Sequence, residues 1–207
     1  MVKINSIIMK QLLFFSVLFF VCAFTSKASV DYADGYIVTK NNDTVAGKVL
    51  IPKDFGHFNE PALFLKVTVL DNAGAKKKYT PADINGYGFV YKSKKYIYVT
   101  KQVDDDGKAM FVWPRSLGKK INEYYYYSYN TSDLAKGSTG GLEEVYVLEE
   151  PETKETVSIT KGGAWTNNFK EQLRKFFEND KHLLTLLTKD VKEFHDIPGF
   201  VKDANNN

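Results

Sequence analysis

Five tyrosines fall within six residues, Tyr124, Tyr125, Tyr126, Tyr127 and Tyr129. They are the side chains of this chain most able to do something specific. On a strand, Tyr125, Tyr127 and Tyr129 share one face, and Tyr124 and Tyr126 share the other. One face can enter a core. The other can present an aromatic platform to a sugar ring or an apolar partner, because tyrosine joins apolar area to a polar tip. Trp113, Tyr96 and Tyr98 are placed to extend such a platform. Aromatic side chains in strands mostly report packing. The competing expectation is therefore a sheet buried on one side and covered by helices on the other.

The usual carriers of catalysis are sparse. The three histidines, His57, His182 and His195, lie far apart in sequence and in no HExxH or HxH pattern, and no GxSxG is present. A metal site would need His57 to meet distant carboxylates. Asp104-Asp105-Asp106-Gly107 invites a calcium reading, but aligning Gly107 with the EF-hand glycine puts Gln102 first and Trp113 twelfth, where acids are required. An acidic turn accounts for it better. Gly137 to Gly141 lacks the Lys-Ser/Thr of a phosphate loop and reads as a linker. A hydrolase would have to assemble its site from remote groups, such as His57, Asp83 and Asp104 to Asp106. No cofactor is implied. The chain is expected to act without catalysis.

The elements that must position these residues are mainly strands. Gly35 to Thr39 and Thr44 to Ile51 flank the turn residues Asn41-Asn42-Asp43 and read as a hairpin. Leu63, Leu65, Val67 and Val69 alternate with other residues as on a half-buried strand. Thr80-Pro81-Ala82-Asp83-Ile84 reads as one helical turn capped by Thr80. Tyr87 to Tyr91 and Tyr96 to Thr100 suggest a second hairpin, and further strands are expected at 109–113, 121–129, 144–148 and 156–160. That makes about nine strands. The period then changes. Trp165, Phe169, Leu173 and Phe176/Phe177 form one helical stripe, with Thr166 or Asn168 as cap. Asp180 can cap a second helix carrying Leu183, Leu187, Val191 and Phe194. Pro198-Gly199 is expected to end regular structure, with Ala204 to Asn207 frayed. The fold class is α+β, mainly β. An antiparallel roll, sandwich or open barrel is covered by two to three short helices at the C-terminus.

Residues 1–28 have the composition of a secretory signal. Lys3 and Lys10 precede an apolar run from Gln11 to Phe24, and Ser26-Lys27-Ala28 places small residues where a signal peptidase reads. Cleavage is expected between Ala28 and Ser29. The 14-residue run is shorter than the roughly 20 residues of a spanning helix. An uncleaved anchor is the rival on that count. Lipidation at Cys22 is the other, although Phe19, Phe20 and Val21 are bulky for a lipobox. Removing 1–28 from the 207 residues leaves 179, expected as a β-rich part (29–160) and a helical segment (161–207) packing on the same domain.

The segment 1–28 holds three of the 28 basic residues and no acid, so the remainder carries 25 of each and no net charge. That balance argues against a nucleic-acid partner. Cys22, the only cysteine, leaves with the signal, and with it any disulfide or thiolate site. Export without disulfides points to a bacterial envelope, periplasmic or secreted, with no transmembrane segment after processing.

Three short motifs carry a resemblance: Gly35-Tyr36-Ile37-Val38-Thr39, Asp43-Thr44-Val45-Ala46-Gly47-Lys48-Val49, and Tyr79-Thr80-Pro81-Ala82-Asp83-Ile84-Asn85-Gly86-Tyr87. With the tyrosine-rich stretch 121–129, the chain resembles a group of exported β-rich proteins of Bacteroidetes that have no assigned activity. Asn42 stands where that group more often has Gly, and Ala204 where a terminal Tyr-Asn pair would have Tyr. The resemblance implies an envelope location and one β-rich unit, and it supplies no catalytic residue. Asp43-Thr44-Val45 also resembles the acceptor motif of Bacteroidetes O-glycosylation, which makes Thr44 a candidate site. The expected function is an envelope binding or structural component, its partner an envelope protein or a glycan. The aromatic residues Trp113, Tyr124, Tyr125, Tyr126, Tyr127 and Tyr129 would form a glycan surface.

Overall fold

The computed structural model describes residues 30–103, 108–129, 141–160 and 169–206. The leader, with Ala28 and Ser29, lies outside the described residues. So do Asp104 to Gly107, residues 137–140, and Trp165, Thr166 and Asn168.

Ten strands form one antiparallel sheet, β1 (Tyr32–Thr39), β2 (Thr44–Leu50), β5 (Val67–Leu70), β6 (Lys76–Tyr79), β7 (Ile84–Tyr91), β8 (Lys94–Gln102), β9 (Ala109–Ser116), β10 (Asn122–Tyr129), β11 (Leu142–Glu149) and β12 (Thr156–Thr160). A separate two-stranded hairpin is made by β3 (Lys53–Asp54) and β4 (His57–Phe58). Three helices close the chain: α1 (Phe169–Phe176), α2 (Lys181–Asp190) and α3 (Ile197–Asn206). The mainly β, α+β class is as the sequence indicates. The sheet is open, in the order β12-β11-β10-β9-β8-β7-β1-β2-β5-β6. Strands and helices together, Tyr32–Asn207, form one compact unit.

The sheet cannot be flat. Strands β7 and β6 stand four places apart, about 19 Å in a flat sheet. Yet only residues 80–83 join them, and Asp83 N donates to Thr80 O at 3.0 Å in a tight turn. This half must curl. Its concave side carries Ala33, Ile37, Val49, Val67, Val69, Tyr87 and Phe89, all buried in one cluster. The register pairs Gly35 with Phe89, Ile37 with Tyr87, and Val49 with Val69, which puts these side chains on one face.

The other half curls the opposite way. β8 and β12 are also four places apart, yet Thr156 Oγ1 donates to Gln102 O at 3.1 Å and Ser158 Oγ donates to Val103 O. The concave side here is the opposite face, with Met110, Val112, Tyr124 and Val147 buried. The sheet is thus bent into an S. The convex face of its second half exposes Ile121, Tyr146, Leu148 and Ile159 to be covered. The helices do so with Phe169, Leu173, Phe177, Leu187, Phe200 and Val201.

Several sequence expectations are corrected. Leu63 and Leu65 are not on a strand. Asn59 Oδ1 accepts from Ala62 N at 3.3 Å and Pro61 stands in the first turn, so Glu60–Phe64 winds as a 3₁₀ turn and the strand starts at Val67. Leu63 and Phe64 are driven together into the first curl, and Tyr87 Oη ties the turn down by donating to Leu63 O at 2.7 Å. Thr80 does not cap a helix. Its N–H and hydroxyl donate to Asp83 Oδ2 at 2.8 and 2.7 Å, which holds the Asp83 carboxyl below its ordinary range. Pro198-Gly199 does not end the structure. Pro198 occupies the first turn of α3, where its missing N–H costs nothing, and Ala204 is fully buried. The described residues hold twelve strands rather than nine.

Candidate functional site

The site is built on β9, β10 and β11 where the sheet changes its sense of curl. Pro114 interrupts β9, and the pairing with β10 slips there: Glu123 lies opposite Ser116 and Tyr124 opposite Pro114. Arg115 is the extra residue of this bulge. A bulge re-aims a side chain that a regular ladder would fix. Arg115 crosses the convex face. Its Nε lies 3.7 Å from Glu123 Oε1, and its Nη1 lies 3.4 Å from Glu144 Oε1 and donates to Tyr146 Oη at 3.2 Å. The guanidinium carbon sits 5.4 Å over the Tyr146 ring.

Beside it lies a floor of rings. Trp113 pairs with Tyr125, their rings 6.1 Å apart and inclined by 20°. Tyr127 meets Tyr125 edge-on at 5.9 Å. Phe64 of the 3₁₀ turn abuts both tyrosines, and Tyr96 and Tyr98 stand edge-on to Trp113. Trp113, Tyr125 and Tyr127 are each half-buried. Phe194 covers Tyr146 on the helical side, with ring centres 4.8 Å apart. The floor therefore lies between Phe64 and Phe194, with Arg115 and Glu144 partly exposed along it.

Two carboxylates are perturbed here. Burial pushes Glu123 up to about 7, Arg115 opposes this and Glu144 adds to it. Glu123 Oε1 accepts no hydrogen bond from any described residue. Burial also raises Glu60 above its ordinary range, with Lys94 and the Tyr98 hydroxyl pulling the other way. Lys94 Nζ is 4.9 Å from the centre of the Tyr96 ring and 5.0 Å from that of Trp113, a cation within reach of two aromatic rings.

The tyrosine-rich strand divides as its alternation requires. Tyr125 and Tyr127 join Trp113. Tyr124 lies on the other face, buried, with its hydroxyl 3.4 Å from Glu149. Tyr126, opposite Val145, is half-buried on that same face. Tyr129 ends β10, opposite Leu142. Thr44 opens β2 and is exposed. His57 pairs across its hairpin with Asp54, His182 is exposed in the first turn of α2, and His195 is exposed beside Glu193 and Asp196. Among the described residues no three His, Cys, Asp or Glu side chains converge as metal ligands would.

Sequence reading missed Arg115, Glu144, Glu123, Glu60 and Lys94. One signal was present: the chain has only two arginines, Arg115 and Arg174, against a large excess of lysine. Arginine where lysine is the default suggests a need for its planar fork.

Comparisons with family models, with curated proteins and with solved structures return no match. Among the described residues no helix is long and apolar enough to cross a membrane. The arrangement pairs flat apolar rings with a guanidinium and a carboxylate. It can bind a ligand that has an apolar face and hydroxyl edges.

Proposed function

We propose that this chain is an exported cell-envelope protein that acts by binding rather than catalysis, and that its ligand is a glycan seated on Trp113, Tyr125 and Tyr127. The observation that carries the reading is the near-parallel Trp113–Tyr125 pair, half-buried and flanked by Arg115 and Glu144. A pyranose has an apolar face that suits such rings. Its vicinal hydroxyls suit a neighbouring donor fork and carboxylate. The leader-like residues 1–28 support the envelope location.

The test is a fluorescence and calorimetric titration with cello-, xylo-, manno- and chito-oligosaccharides. Binding of at least one class is expected, weakened at least tenfold by Trp113→Ala and by Tyr127→Ala. Tyr126→Ala, on the opposite face, should leave it unchanged. Failure of every class to bind, or binding indifferent to Trp113→Ala, would reject the glycan reading.

A further inference from the structure

The Glu123 side chain is 2% exposed, and one of its oxygens accepts no hydrogen bond from any described residue. What reaches that oxygen is Arg115 Nε, at 3.7 Å, well beyond the roughly 2.7–2.9 Å of a charge-assisted hydrogen bond. The same guanidinium reaches a second carboxylate, Glu144, through a different nitrogen. Arg115 is thus shared between a buried acid behind it and a partly exposed acid beside the rings. The bulge at Pro114–Arg115 leaves it free of a regular ladder position.

We propose that Glu123 is the positioning residue of the ring face: its charged carboxylate draws Arg115 back by Nε, and its neutral form releases the guanidinium toward Glu144 and the ligand. This rests on the binding reading only for what the released Arg115 then contacts. Charged and titratable groups among the described residues surround Glu123 from three sides. From β9 comes Arg115, and from β11 come Glu144 and Tyr146. On its own strand Tyr125 is the next residue on the same face. The helical layer brings Glu193, His195 and Asp196 near Phe194, and these pair with one another at the surface. Because burial places the Glu123 transition at about 7, the exchange falls in the neutral range. Arg115 is held above it and released below it.

The experiment uses the processed chain labelled on arginine Nε and on glutamate carboxyl carbon, titrated by NMR from pH 5 to 9. The Arg115 Nε resonance should move with the same midpoint as the Glu123 carboxyl. Glu123→Gln should abolish that movement, and His195→Gln should leave it intact. An Arg115 resonance that stays still in the unsubstituted chain overturns the proposal, and so does one that keeps its midpoint in Glu123→Gln. The unsubstituted chain alone decides the first point if the variant does not fold.

A binding arm separates the two readings. Oligosaccharide affinity should be threefold or more tighter at pH 6 than at pH 8, and Glu123→Gln should remove that ratio. If Trp113→Ala abolishes binding but Glu123→Gln keeps the ratio, the positioning role falls and the glycan reading stands. If binding ignores Trp113→Ala, the glycan reading falls and the resonance titration still decides the role of Glu123.

Discussion

Asn205 grips Ile121 by both of that residue's backbone polar groups. Its Oδ1 accepts from Ile121 N at 3.0 Å while its Nδ2 donates to Ile121 O at 2.9 Å. The same Oδ1 accepts from Lys120 N at 3.0 Å. One side chain of α3 thereby satisfies the backbone of the β9–β10 connection and fastens the last helix to the sheet. Gly118 makes room for it, since a Cβ there would overlap the Asn205 amide. Asn205→Ala should cost about 3 kcal/mol, because it leaves three part-buried backbone groups without partners. Gly118→Ala should cost a comparable amount by displacing the same side chain. Chemical denaturation measures both, and amide exchange should accelerate first at Lys120 and Ile121. Unchanged protection at those two amides would refute the clamp.

A second pin lies inside the opposite curl. Glu149 is buried and bonded to Lys101, and it accepts from Asn122 Nδ2 at 2.9 Å. Lys101 also lies 4.9 Å from the centre of the Tyr124 ring. The pair joins β8 to β11 across the concave face. Removing one partner of a buried pair strands the other charge. Lys101→Met alone should therefore cost about 3–5 kcal/mol. Glu149→Leu with Lys101→Met should cost clearly less than the two single changes together. Strict additivity in that double-mutant cycle would show that the pair does not couple the strands.

Much of this fold is legible in the residues. Thr156–Thr160 reads as a strand from its β-branched alternation and is one. Asp180 reads as a cap, and its carboxylate accepts from His182 N and Leu183 N, both at 2.9 Å. The failures have local causes. Leu63, Leu65 and Val67 alternate as a strand would, but Asn59 and Pro61 start a 3₁₀ turn and the curl needs Leu63 and Phe64 side by side. Pro198-Gly199 looks like a terminator, yet proline suits a first helical turn. The site was half legible. Tyr125, Tyr127 and Trp113 follow from period-two alternation. Arg115 and Glu144 meet only through a bulge and the β10–β11 register, which no local pattern encodes.

The buried Glu123 should make stability depend on pH in a stated direction. Its transition is near 7 in the folded chain and near 4.3 in an unfolded one. Between these values the unfolded chain has already released its proton while the folded chain retains it. Stability should therefore fall as pH rises from about 4.5 to about 7 and then level off, by roughly 3–4 kcal/mol from this group. Asp83 and Asp196, both held low by backbone N–H groups, act oppositely and only in the acid range. Glu123→Gln should match the original chain near pH 4.5 and exceed it at pH 8. Parallel unfolding free energies for the two chains across that interval would contradict the assignment.

The hairpin β3–β4 carries a strained and exposed residue. Phe55 and Gly56 form its two-residue loop with φ of 46° and 81°. Both central residues of such a loop need positive φ, which favours Asn-Gly and disfavours an aromatic first residue. Phe55 is 98% exposed, so it buries nothing in return. Phe58, by contrast, packs on Tyr91 and Tyr96 at 5.6 and 5.3 Å and holds the hairpin in place. Phe55→Asn should stabilise the chain by about 1 kcal/mol, raising Tm by roughly 3 °C for a domain of this size. Phe58→Ala should lower Tm, because it uncovers Tyr96. A loss of stability in Phe55→Asn would mean that the Phe55 ring is held against another part of the folded chain and outweighs the cost of its positive φ.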